Sequence, residues 1–233
     1  MAKTPLLLLP GMMCDARLFA PQIASLSRDR AVMVAPISGS DSIAALARDV
    51  LADAPARFAL AGLSMGGIVA MEMIRQAPHR ISHLGLFDTN PRAEAPDIAA
   101  RRGPQMEKVA AGALRQVMRD EMKPNYLADG PHQGAILDLC LDMALGLGPE
   151  VFLRQSRALR DRPDQQETLR AVRVPALILC GAEDALCPLS RHEGMRDLIP
   201  GARLAVIQDA GHLPTVEQPE PVLKEIDTWL NRS

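Results

Sequence analysis

Apolar residues in this chain fall into two kinds of run. Leu6–Leu9 is an unbroken apolar quartet closed by Pro10 and Gly11, the mark of a strand buried on both faces. Residues 31–35, 57–61, 81–87, 174–180 and 202–207 read as further strands, several of them stopped by proline, glycine or asparagine. Between them, apolar positions recur every three to four residues. In 42–51 the stripe is Ile43, Leu46, Ala47, Val50 and Leu51. In 221–230 it is Val222, Leu223, Ile226, Trp229 and Leu230, opened by a proline whose missing N–H would have no partner there. Residues 15–26 and 68–76 also read as helices. Strands separated by helices in this rhythm predict a parallel sheet with right-handed crossovers.

The rhythm breaks between residues 91 and 173. Only helical patterns occur there: 98–111, interrupted at Gly103-Pro104; 114–122; 136–145, bounded by Gly134 and Gly146; and 150–159. The expected organisation is therefore a core of residues 1–90 and 173–233, with a helical insertion over 91–172.

Composition narrows the function classes. Of 233 residues, 26 are basic and 28 acidic, a net charge of −2 with no long run of either sign. Nothing in that balance suits a nucleic acid or an anionic membrane surface. Four leucines before Pro10 are too few for the apolar region of a signal peptide, so a cytosolic location is expected. Cys14, Cys140, Cys180 and Cys187 form no C-x-x-C pair and no zinc spacing with histidine. They are expected to be free thiols, with neither a metal nor an organic cofactor required.

The most informative residues are Gly62-Leu63-Ser64-Met65-Gly66, set between a strand-like and a helix-like run. A chain that turns this sharply from strand to helix has no room for side chains two positions either side of the turn, and glycine stands at both. The serine hydroxyl is then held at the tip of the turn, with the N–H groups of a helix N-terminus behind it. A serine hydroxyl is a weak nucleophile and needs a base, which in turn needs an acid to fix its tautomer. His212 follows the strand at 202–207, and Asp184 follows the strand at 174–180. Ser64 also follows a strand, so all three belong to loops at the carboxyl edge of the sheet, where ligands bind in such folds. Asp88, Glu183 and Asp209 compete with Asp184 for the acid. His79 and His83 fall at the opposite edge, while His132 and His192 read as solvated. Arg101 and Arg102 read as solvated arginines on a helix face.

Here the chain resembles the α/β-hydrolase superfamily. The resemblance rests on Leu9-Pro-Gly-Met-Met after the first strand, Gly-Leu-Ser-Met-Gly-Gly67 at the turn, Gly181-Ala-Glu-Asp184, and Gly211-His212. Two features depart from it: Pro10 replaces the histidine that many members carry, and no hairpin precedes the first strand. The resemblance implies a roughly six-stranded, mainly parallel sheet with flanking helices, and it makes the insertion a cap. It implies a triad of Ser64, His212 and Asp184, with an oxyanion hole of the Met12 and Met65 N–H groups. The expected activity is hydrolysis of a small carboxylic ester, lactone or thioester. Methionines around the site suggest a deformable apolar pocket for the acyl group. An acyltransferase, a C–C bond hydrolase or a perhydrolase would use the same residues. A ligand-binding protein with little turnover is the alternative of another class.

Overall fold

The computed structural model describes residues 3–122 and 126–232; Met1 and Ala2, part of the leader reading, lie outside them. Six strands form one sheet: β1 (Leu6–Leu9), β2 (Val32–Val34), β3 (Phe58–Leu63), β4 (Ile81–Phe87), β5 (Ala176–Gly181) and β6 (Arg203–Ile207). Their order across the sheet is β2-β1-β3-β4-β5-β6, and every neighbouring pair is parallel. The continuous apolar runs have the burial they imply, since every residue of β1, β3 and β5 is buried. The edge strand β2 is short and only partly covered, which limits the unpaired edge it presents.

The crossovers are α1 (Ala20–Leu26), preceded by a 3₁₀ turn at Ala16–Phe19, then α2 (Ile43–Asp53) and α3 (Met65–Gln76). Between β4 and β5 lie α4 (Pro96–Ala110), α5 (Leu114–Gln116), α6 (Gln133–Leu147), α7 (Pro149–Arg160) and α8 (Gln166–Arg170). After β5 come α9 (Leu189–Leu198), α10 (Pro214–Glu217) and α11 (Pro219–Leu230). Among the described residues no helix is long and apolar enough to cross a membrane.

Three local expectations change. The helix expected to break at Gly103-Pro104 runs through both residues in α4. Pro104 has no N–H and leaves the Ala100 carbonyl without its helical donor, but Ala100 is exposed, so water can supply one. Gly134 and Gly146 lie inside α6 rather than bounding it. Each costs about 1 kcal/mol against alanine, which burial of Cys140, Met143 and Ala144 on the same helix offsets. The stretch at 114–122 starts as α5 but continues as a π-type turn over Val117–Met122.

The helical segment shares the core of the sheet. Val109, Val117, Phe152 and Leu159 belong to the same buried cluster as Leu7, Leu60 and Ile178. Cys140 and Met143 join the cluster on the other face, with Phe87, Leu179 and Trp229. All four cysteines are buried thiols.

Candidate active site

Strand β3 ends at Leu63 and α3 begins at Met65, so Ser64 alone makes the turn. Its φ of 55° and ψ of −116° are strained for a residue with a Cβ. Such conformations cost about 1–3 kcal/mol and persist only where the surroundings enforce them. The Ser64 N–H donates to the Phe87 carbonyl on β4 at 2.9 Å, and the Thr89 hydroxyl donates to the Ser64 carbonyl at 2.7 Å. Close approach explains both glycines. A Cβ on Gly62 would lie 2.2 Å from the Gly66 carbonyl oxygen, and one on Gly66 would lie 2.1 Å from that of Leu9.

His212 and Asp184 meet Ser64 in one line of hydrogen bonds. His212 Nε2 lies 2.9 Å from Ser64 Oγ, and its Nδ1 lies 2.8 Å from Asp184 Oδ2. Asp184 Oδ1 accepts from the N–H groups of Leu186 and Cys187 at 2.8 and 2.9 Å. Burial works against its charge, but the hydrogen bond from His212 and those backbone donors outweigh it and hold the carboxyl below the usual range. With Nδ1–H fixed on Asp184, Nε2 is left as the acceptor facing the serine.

Among the described residues, none of the competing acids bonds to the His212 ring. Glu183 and Asp209 are exposed. Asp88 is fully buried; its Oδ1 accepts from the Gly181 N–H at 2.9 Å, and its Oδ2 has no hydrogen-bond partner among the described residues. Burial, and then the charge of Asp184, push its pKa well above the carboxylate range. His192 reverses an expectation, for it is wholly buried rather than solvated. Its Nε2 accepts from the Thr89 N–H at 3.2 Å, and burial pushes its pKa down to about 4. Arg102 also departs from the solvated reading. Its side chain is 12% exposed and is paired with Glu94. Arg101 is exposed, as is His132.

The N–H groups of Met12 and Met65 have no hydrogen-bond partner among the described residues, and both residues line one cavity of about 320 Å³ with Ser64 and His212. The Met12 loop is held from the helical segment. Buried Gln155 on α7 accepts from the Met13 N–H at 2.8 Å and donates to the Ile37 carbonyl at 2.9 Å. That fixes Met13 at a φ of 56°. The His212 loop is held by Glu217, whose carboxylate accepts from the N–H groups of Ala128, Gly211 and Leu213, each at 2.9 Å. Tyr126, whose carbonyl takes the His212 N–H at 2.6 Å, lies with its ring 6.0 Å from the imidazole. Gln155, Glu217 and Tyr126 are invisible to motif and periodicity, because each works through partners far away in sequence or through backbone atoms.

Among the described residues, two clusters of metal-ligand types come together: Asp184, Cys187 and His212, and Asp88, Asp184 and His192. Hydrogen bonds from the chain already occupy both oxygens of Asp184 and the free nitrogen of His192, so neither cluster presents an open ligand set.

Residues 6–225 match the model of the alpha/beta hydrolase family. A pimeloyl-[acyl-carrier protein] methyl ester esterase of Aromatoleum aromaticum is 30% identical over 190 residues, 73% of this chain and 73% of that protein. A thermophilic esterase from Thermogutta terrifontis, solved with malate bound, superposes with a TM-score of 0.91 at 30% identity, over 98% of this chain and 90% of its own. The enol-lactonase of Burkholderia xenovorans LB400 gives 0.88 at 22% identity, over 100% and 93%, a likeness of fold alone. A six-stranded parallel sheet, a strained serine at the β3–α3 turn and a match over nearly the whole chain agree: this protein belongs to the alpha/beta hydrolase family.

Proposed function

We propose that the protein hydrolyses a small carboxylic ester, lactone or thioester through Ser64, His212 and Asp184. One observation carries the reading: Ser64 Oγ, His212 and Asp184 are joined at 2.9 and 2.8 Å. Relatives named as esterases support the same class of reaction.

His212 Nε2 takes the Ser64 proton as Oγ bonds to the substrate carbonyl carbon, and the carbonyl electron pair moves to oxygen. The Met12 and Met65 N–H groups bind that oxyanion, each such donor being worth about 3–4 kcal/mol in the transition state. Asp184 stabilises the imidazolium without taking its proton. As the tetrahedral intermediate collapses, the bond to the leaving oxygen or sulfur breaks, and that atom receives the proton from His212. Water then gives a proton to His212 and attacks the acyl-enzyme. Collapse returns the proton to Ser64 Oγ and frees the carboxylic acid. The helical segment at 91–172 acts as the cap over this cavity, and the apolar lining takes the acyl chain.

Ser64→Ala is expected to abolish ester hydrolysis and labelling by a fluorophosphonate while the protein stays folded. A folded Ser64→Ala protein that kept most of its kcat would remove Ser64 as the nucleophile. Product analysis with added alcohol separates hydrolysis from acyl transfer.

A further inference from the structure

The cavity at Ser64 is not uniformly apolar. Its lining includes Met12, Leu63, Met65 and Ile68, but also four arginines, Arg101, Arg102, Arg162 and Arg191, against two glutamates, Glu94 and Glu121. Glu121 is already neutralised by Lys108 at 2.7 Å. Glu94 is shared by Arg102 and Arg162, and the three side chains are only 3%, 12% and 8% exposed. One carboxylate between two buried guanidinium groups leaves a positive charge in a place where water screens it poorly.

That charge has a direction. Arg162 spends its Nε on the Arg92 carbonyl and its Nη1 on Glu94 and the Leu159 carbonyl. Arg102 keeps one nitrogen toward the Met12 loop. Its Nε and Nη2 face Glu94, while its Nη1 meets, among the described residues, the Met12 sulfur at 4.0 Å, a weak acceptor. Tyr126 lines the same cavity, and among the described residues its phenol oxygen has no partner. Burial keeps that phenol protonated, and so a donor. Arg101 adds an exposed guanidinium with no partner among the described residues. Donors without acceptors, beside uncompensated positive charge, are what a carboxylate satisfies.

We infer that the cavity seats an ester carrying a carboxylate on a short arm, with the carboxylate on Arg102 Nη1 and the Tyr126 hydroxyl. The inference rests on ester hydrolysis at Ser64 and narrows it to acidic esters, such as half-esters of short dicarboxylic acids. The arm is short because Arg102 touches the side chain of Met12, whose own N–H faces the reacting carbonyl in that reading. An apolar chain between the carboxylate and the reacting carbonyl matches the methionine lining.

The test compares matched esters. Monomethyl glutarate and methyl pentanoate differ in a carboxylate on the acyl side; 4-acetoxybutanoate and butyl acetate differ on the alcohol side. In one of these pairs the parent enzyme is expected to favour the anion by at least tenfold in kcat/KM. Arg102→Gln lowers that ratio at least tenfold, mainly through KM. Glu94→Gln, which breaks the same ion network but removes the counter-charge, raises it. A network that served only to hold the helices would change both esters together in either variant and leave the ratio where it was. That result, or a parent ratio near one in both pairs, overturns the anion seat while leaving ester hydrolysis intact. Failure to cleave any of the four, with Ser64 unlabelled by a fluorophosphonate, overturns the hydrolase reading and the seat with it.

Discussion

Two carboxylates a few ångströms apart, Asp88 and Asp184, show how environment divides chemically identical residues. Asp184 is ionised by its bonds to His212, Leu186 and Cys187, whereas Asp88 is driven toward its neutral form by burial and by Asp184 itself. Asp184→Asn preserves shape but offers the imidazole the wrong partner and no charge. It is expected to lower kcat by about four orders of magnitude on a simple ester, and Asp88→Asn by less than about tenfold. The reverse ordering in matched folded variants would move the acid to Asp88. Stability gives a second, independent reading. Because the folded pKa of Asp88 is raised, its contribution is best at low pH and is lost as pH rises above the unfolded value, about 3.9, at roughly 1.4 kcal/mol per pH unit until the folded value is reached. Asparagine cannot ionise, so Asp88→Asn is expected to gain in Tm over the parent at pH 8 relative to pH 5. Equal differences at the two pH values would mean that Asp88 is charged in the native protein.

Among the elements, α7 bridges the inserted helices and the loop after β1. Gln155 is wholly buried; its amide oxygen accepts from that loop at Met13, and its amide nitrogen donates to the Ile37 carbonyl in the loop after β2. Gln155→Met keeps the volume but leaves the Met13 N–H and the Ile37 carbonyl without partners, at about 1–3 kcal/mol for each buried group. A stability loss of about 2–4 kcal/mol, with kcat falling more than KM rises, is the expected outcome in urea melts and ester kinetics. An unchanged kcat would show that the Met12 loop holds its place without α7. Element boundaries also show what local pattern misses. Gly103-Pro104 predicts a break in α4, and Gly134 and Gly146 predict the ends of α6, yet both helices run through: the carbonyl that Pro104 leaves unbonded is exposed to water, and the conformational cost of glycine in α6 is offset by burial of its other face.

For the whole molecule, the helical segment and the sheet share both hydrophobic clusters. Removing one would expose the other, so unfolding is expected as one cooperative transition. Trp229, the single tryptophan, is 1% exposed between α11 and the sheet and donates to the Pro175 carbonyl at 3.1 Å. Its fluorescence reports the sheet, while far-UV circular dichroism reports mainly the helices. The two denaturation curves should coincide, and separated midpoints would mean that residues 91–172 melt as a unit of their own.

Much of this protein is determined locally. Continuous apolar runs define strands that can only be buried on both faces, the 3.6-residue stripes define the helices between them, and the glycine pair around Ser64 announces a turn that no larger residue survives. What periodicity cannot carry is the identity of a partner, because it reports the side on which a residue is buried and not what it meets there. Asp88, Glu183 and Asp209 rival Asp184 for the acid in the sequence; folding leaves Glu183 and Asp209 exposed and sets Asp88 against the Gly181 N–H. Gln155 reaches Met13 across 142 positions of the chain, and Arg102 reaches Met12 across 90. His192 and Arg102 have the sequence surroundings of solvated residues and are drawn inward by contacts between distant segments. The strands, the helices between them and the turn at Ser64 belong to the sequence; the order of strands across the sheet and the charge inside the cavity exist only once distant segments close together.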